Sequence, residues 1–144
     1  MKKLFFATTV LILVIIFYVT TIRTTPFIVI CSYVFPVYEG MEFFVEYTHS
    51  VNQSMMREFF VIRGEEIFFT ALEFEDFGAG MPTDYEIIFL PEGGMRIEGF
   101  HTFIPQYTVP PTTVVRIGGG RIYLYDPEGG TQILIRQLNF WRRR

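Results

Sequence analysis

Hydrophobic residues follow two patterns along the chain. The first is an unbroken run of nineteen uncharged, mostly apolar residues from Leu4 to Ile22. As a helix rising about 1.5 Å per residue, it reaches roughly 28 Å, close to the thickness of a bilayer's hydrocarbon core. Lys2, Lys3 and the amino terminus outweigh Arg23, which places the N-terminus in the cytoplasm and the rest outside. A cleaved signal peptide is the competing reading, but its apolar region would be unusually long and no Ala-x-Ala-like site precedes Thr24 or Thr25. The expected arrangement is an anchor or uncleaved signal at residues 1–23, a single pass of the cell membrane through residues 4–22, and an extracytoplasmic domain at 24–144.

From Phe27 the period shortens to two. Stretches rich in Phe, Tyr, Ile and Val recur between punctuators such as Pro36, Gly40, Gly64, Gly93-Gly94, Pro110-Pro111 and Gly118-Gly119-Gly120. That spacing predicts successive strands and turns. The expected strands are Pro26–Ser32, Met41–Ser50, Met55–Arg63, Glu65–Phe74, Tyr85–Leu90, Met95–Phe100, Thr112–Ile117, Arg121–Tyr125 and Thr131–Leu138. Nine short strands after an N-terminal transmembrane helix make the body all-β, a single β-sandwich or small barrel.

The strand from Met41 shows its faces most clearly. Met41, Phe43, Val45 and Tyr47 alternate with Glu42, Phe44, Glu46 and Thr48, so one face is core and the other mostly wet. Continued, the alternation turns His49 inward and Ser50 outward. Neighbours on a strand project oppositely, which rules out a short Ser–His hydrogen bond of the kind that activates a serine nucleophile. If Asn52–Met55 form a four-residue loop, Val51 pairs with Met56 and His49 falls opposite Glu58, whereas a shorter loop shifts the register and makes them diagonal or inverted. A carboxylate there fixes the imidazole tautomer or raises its pKa. Two such groups also satisfy each other inside an apolar sheet with no further role.

Composition narrows the function classes. Half of the 144 residues are hydrophobic and 18% are aromatic, enough for one packed domain without staples. The single cysteine, Cys31, excludes an intrachain disulfide and a cysteine-built zinc site, and is expected as a small core residue in a strand. Between Arg23, which flanks the apolar run, and the terminal Arg142–Arg144, six arginines face all fifteen acids, a balance of −9. A body that acidic is a poor partner for phosphate backbones, so no nucleic acid is expected. His101, Glu73, Glu75 and Asp76 stand at no diagnostic spacing from His49, and neither a metal nor another cofactor is expected.

Phe77-Gly78-Ala79-Gly80-Met81-Pro82 is the other uncommon segment. Its glycines describe backbone that needs positive φ or close approach, then a fixed turn. Such a segment turns consecutive N–H groups toward an anion or makes a strand-to-strand corner with Phe77 and Met81 plugging the core. The candidate binding residues are therefore His49, Glu58, Gly78, Ala79 and Gly80. Tyr47, Ser50, Val51, Phe77 and Pro82 frame them as structural positions.

Tyr47-Thr48-His49-Ser50-Val51, then Glu58, then Phe77-Gly78-Ala79-Gly80-Met81-Pro82 together resemble the blocks of the domain of unknown function 1850 family. Gly40 and Val115-Arg116-Ile117-Gly118 fit more loosely. Arg57 departs from the pattern, where an acid is frequent beside the glutamate, and so does Gly118-Gly119-Gly120-Arg121, where a histidine is often found further on. The resemblance implies a short exported or anchored protein that accompanies TRAP transporters of the TAXI type. The expected function is a membrane-anchored extracytoplasmic accessory that docks a transporter membrane subunit or binding protein, or binds a small organic anion. The alternatives are a ligand- or protein-binding module unrelated to transport, and an enzyme using His49 and Glu58.

Overall fold

The computed structural model describes residues 2–24, 26–77, 82, 84–110, 112–124 and 130–137. One helix, α1 (Lys2–Thr24), precedes eleven strands: β1 (Pro26–Ile30), β2 (Tyr33–Pro36), β3 (Glu42–Thr48), β4 (Met55–Arg63), β5 (Glu66–Phe74), β6 (Ile87–Phe89), β7 (Met95–Ile104), β8 (Tyr107–Thr108), β9 (Thr113–Ile117), β10 (Gly120–Leu124) and β11 (Gln132–Gln137). The body is all-β. Its strands form a four-stranded sheet, β2-β1-β11-β8, and a seven-stranded sheet, β10-β9-β3-β4-β5-β7-β6, with antiparallel pairing throughout.

Two strands were not anticipated. The stretch expected as Pro26–Ser32 stops at Ile30, because Cys31 takes a positive φ of 55° and the chain folds back with Ile30 paired to Tyr33. Cys31 is therefore exposed at a turn rather than buried in a strand. β8 is two residues long and pairs with β11, too short for alternation to reveal.

The main core draws on both sheets. Ile28, Ile30 and Ile133 of the smaller sheet share one buried cluster with Phe43, Val45, Phe60, Ile62, Ile67, Val115, Ile117, Ile122 and Leu124 of the larger. Each large apolar side chain buried completely contributes about 1.5–3 kcal/mol. A second cluster, Met56, Leu72, Phe74, Ile97 and Phe100, occupies the other end of the larger sheet's inner face, and Tyr47 and Phe69 pack against both. A bulge lets Thr70 slip between Phe69, opposite Phe60, and Ala71, opposite Phe59. Its hydroxyl donates to the Phe59 carbonyl at 3.1 Å, so the bulge leaves no bare donor.

α1 stands apart from this packing. Its side chains are described at residues 5–20, and every one is exposed, from Phe5 (77%) and Phe6 (71%) to Phe17 (73%). Thr8 and Thr9 donate to the Phe5 carbonyl, and Thr20 to those of Ile16 and Phe17. Their hydroxyls thus need no water. Among the described residues no helix is long and apolar enough to cross a membrane.

Candidate functional site

The β3–β4 hairpin decides where Glu58 lies. Tyr47 pairs with Met56 and Thr48 with Met55, so Glu58 stands opposite Val45 and not opposite His49. The displacement is four residues, about 13 Å along a strand. Parity is preserved, so the faces remain as expected while the partners change. Aromatic pairing across the hairpin holds this register: the Phe43 and Phe60 rings stack at 5.0 Å, and Phe44 meets Phe59 at 5.2 Å. The connection is correspondingly longer than expected, residues 49–54. His49 N donates to the Ser54 carbonyl at 2.8 Å, Gln53 N to the His49 carbonyl at 3.0 Å, and the Asn52 amide to the Asp76 carbonyl at 3.3 Å.

His49 is half-buried, and its Nδ1 accepts from the Val51 N–H at 3.3 Å. The expected imidazole–carboxylate pair is not formed. Ser50 is exposed and Val51 is 70% exposed, both in the loop. Phe77 is 48% exposed and meets the Phe74 ring edge-on at 5.5 Å. It covers the core from outside instead of plugging it. Pro82 is half-buried. Gly78, Ala79, Gly80 and Met81 lie outside the described residues.

Glu58 has other partners. The Tyr47 hydroxyl donates to its Oε1 at 2.6 Å. Tyr107 of β8, in the smaller sheet, sets its ring edge-on to Phe60 at 5.0 Å, and its phenol lies within the electrostatic reach of the same carboxylate. Burial, then the Glu58 charge and hydrogen bond, push both phenols above their ordinary range. One carboxylate on the larger sheet's inner face thereby acts on a phenol from each sheet. Among the described residues no three His, Cys, Asp or Glu side chains converge as metal ligands.

The outer face of the larger sheet carries two parallel rows of side chains. In the first, strand register places Glu46, Arg57, Glu73 and Arg96 side by side on β3, β4, β5 and β7. Arg57 donates to Glu46 at 2.7 Å and to Glu73 at 3.4 Å, and Arg96 donates to Glu73 and to Glu98, both at 2.6 Å. Hydrogen bonds to Glu46, and then Glu73, hold the Arg57 pKa above its ordinary value. Burial works against the Arg96 charge, but its bonds to Glu73 and Glu98 outweigh it and the net shift is upward. Every charge in this row has an opposite neighbour.

In the second row, Arg121, Arg116, Phe44 and Phe59 stand side by side on β10, β9, β3 and β4. Gly118 and Gly119, with φ of 55° and 79°, close a two-residue turn that pairs Ile117 with Gly120 and therefore Arg116 with Arg121. Arg116 lies over the Phe44 ring at 5.5 Å, and Arg96 over the Phe59 ring at 4.4 Å. Arg121, Arg116, Phe44 and Phe59, with Glu42 and Gly118–Gly120, line a cleft of about 470 Å³. The size suits a small ligand. Alternation did not single this site out, but a Gly-Gly pair between two apolar runs is a two-residue hairpin signal, and it fixes the Arg116–Arg121 pairing.

A family model, that of a domain of unknown function (DUF1850), matches residues 43–122. The match takes in β3 from Phe43, β4 to β9, and β10 as far as Ile122, and so includes Tyr47, Glu58, Arg116 and Arg121. No curated protein and no solved structure matches the chain.

Proposed function

Because the chain belongs to the domain of unknown function family DUF1850, we propose that it is a membrane-anchored extracytoplasmic accessory of a TAXI-type TRAP solute transporter, holding a small organic anion beside the transporter's membrane subunit or binding protein. The observation that carries the anchored reading is α1. A helix that is apolar all round requires an apolar surrounding, and the described side chains of α1 find none on the β-domain. The described stretch of 16 residues, 5–20, is shorter than a bilayer crossing, whereas the apolar run in the sequence extends from Leu4 to Ile22. Only Thr25 separates α1 from β1, which keeps the domain close to the membrane surface. We take the two sheets to pack face to face as a sandwich, a reading supported by the core cluster they share.

The test is fractionation combined with transport. The protein is expected to stay with membranes through alkaline carbonate, to be digested by protease from the outer side only, and to co-purify with a transporter subunit. Deleting it is expected to reduce uptake of the transported acid. Release of the intact chain by carbonate would overturn the anchor, and unchanged uptake without a co-purifying subunit would overturn the transport role.

A further inference from the structure

We propose that the cleft between Arg121 and Phe59 on the outer face of the larger sheet is a binding site for a small, planar organic monocarboxylate. This deepens the reading above by naming the ligand class and its contacts, and it rests on that reading for its setting outside the membrane.

Electrostatics are the first ground. Arg116 and Arg121 are direct cross-strand partners, and like charges so placed repel. The neighbouring row shows how the same sheet neutralises its arginines, with carboxylates at 2.6–3.4 Å. Here the carboxylate nearest Arg116 is Glu46 at 3.8 Å, already bonded to Arg57 at 2.7 Å. The Arg116 Nε is buried without a hydrogen-bond partner. Arg121 is exposed and meets no carboxylate among the described residues. Two guanidiniums, one with a donor left over, supply the forked geometry that a carboxylate accepts with both oxygens.

Shape supplies the second ground. Beside the arginines stand the Phe44 and Phe59 rings, centroids 5.2 Å apart, each half-buried, with Arg116 over the first and Arg96 over the second. A bare oxyanion gains nothing from such rings, whereas a flat apolar body packs against them. Gly118–Gly120 wall the cleft with backbone alone, leaving it open to a ring. Glu42 is exposed and also lines the cleft. Its charge disfavours a second carboxylate on the ligand, which limits the class to monocarboxylates.

The test is calorimetric titration of the full chain, purified in detergent, with benzoate as the probe. Acetate, benzyl alcohol and sulfate separate charge from ring. Benzoate is expected to bind, with acetate and benzyl alcohol each weaker by about tenfold or more and sulfate no better than acetate. Arg121→Gln is expected to weaken benzoate by about tenfold or more. Phe44→Leu, which keeps an apolar side chain without the ring, is expected to weaken benzoate while leaving acetate unchanged. Arg63→Gln, which removes the same charge from the end of β4, outside the cleft lining and four residues from Phe59, is expected to leave affinity within about twofold. Equal losses in Arg121→Gln and Arg63→Gln, sulfate binding as tightly as benzoate, or no benzoate binding at about 10 mM would each overturn the proposal. Binding in detergent does not depend on anchoring, so a failed titration and a failed carbonate fractionation are separate results.

Discussion

The two rows on the outer face of the larger sheet use the same residue type to opposite ends. Arg57 and Arg96 each lie between carboxylates within 3.4 Å, whereas Arg116 and Arg121 face one another with, among the described residues, a single carboxylate at 3.8 Å. One row is complete in itself. The other leaves positive charge unspent beside a cleft, which is the usual condition of a site that expects a ligand. The inner face follows the rule of the complete row, since Glu58 answers both tyrosines that reach it. Removing a group from a complete arrangement should therefore cost stability, and removing one from the incomplete row should cost binding.

The largest stability effect is expected at Glu58. Glu58→Ala strands the Tyr47 hydroxyl and leaves a gap on the inner face of the larger sheet, a loss of about 2–4 kcal/mol in denaturant unfolding. Glu58→Gln keeps an acceptor and is expected to lose less than half as much. The same cluster fixes a pH dependence. Tyr47 and Tyr107 are raised above their ordinary value of 10.0, so their contribution is fully present below about pH 10 and is lost as pH rises further, when unfolded tyrosines ionise and folded ones do not. Phenylalanine at both positions is expected to flatten that alkaline decline, read by unfolding midpoints from pH 8 to pH 11.

Next in size is Glu73→Ala, which removes the carboxylate shared by Arg57 and Arg96. A loss of about 1–2 kcal/mol is expected, because the pair is partly screened yet Glu73 is only 16% exposed. The smallest effect is expected at Arg121→Gln, within about 0.5 kcal/mol of wild type or slightly stabilising, since it relieves the repulsion with Arg116. A large destabilisation there would place Arg121 among the complete groups and erase the distinction between the rows.

Much of the fold was legible from alternation. Nine of the strands lie in the stretches rich in Phe, Tyr, Ile and Val between turn residues, and the odd positions of β3 face the core at Phe43 and Val45. Cys31 hid the first hairpin because a cysteine with positive φ gives none of the Gly or Pro signals that mark a turn. The candidate site was harder to read, since period-two patterning fixes a side chain's face and leaves its partner open. A register shifted by four residues keeps every face, which is why Glu58 was expected beside His49 and is found beside Tyr47. Tyr107 enters from a two-residue strand of the other sheet, a contact that local pattern cannot anticipate. The glycine pair before Arg121 was read as punctuation, although its turn geometry is what brings two arginines together.

The most direct test of the division between complete and incomplete rows is the thermal shift given by saturating benzoate to the wild type, Glu73→Ala and Arg121→Gln. Glu73→Ala is expected to melt lower and yet gain the same shift as the wild type. Arg121→Gln is expected to melt like the wild type and gain little or none. Equal shifts in all three proteins would contradict the assignment of the cleft.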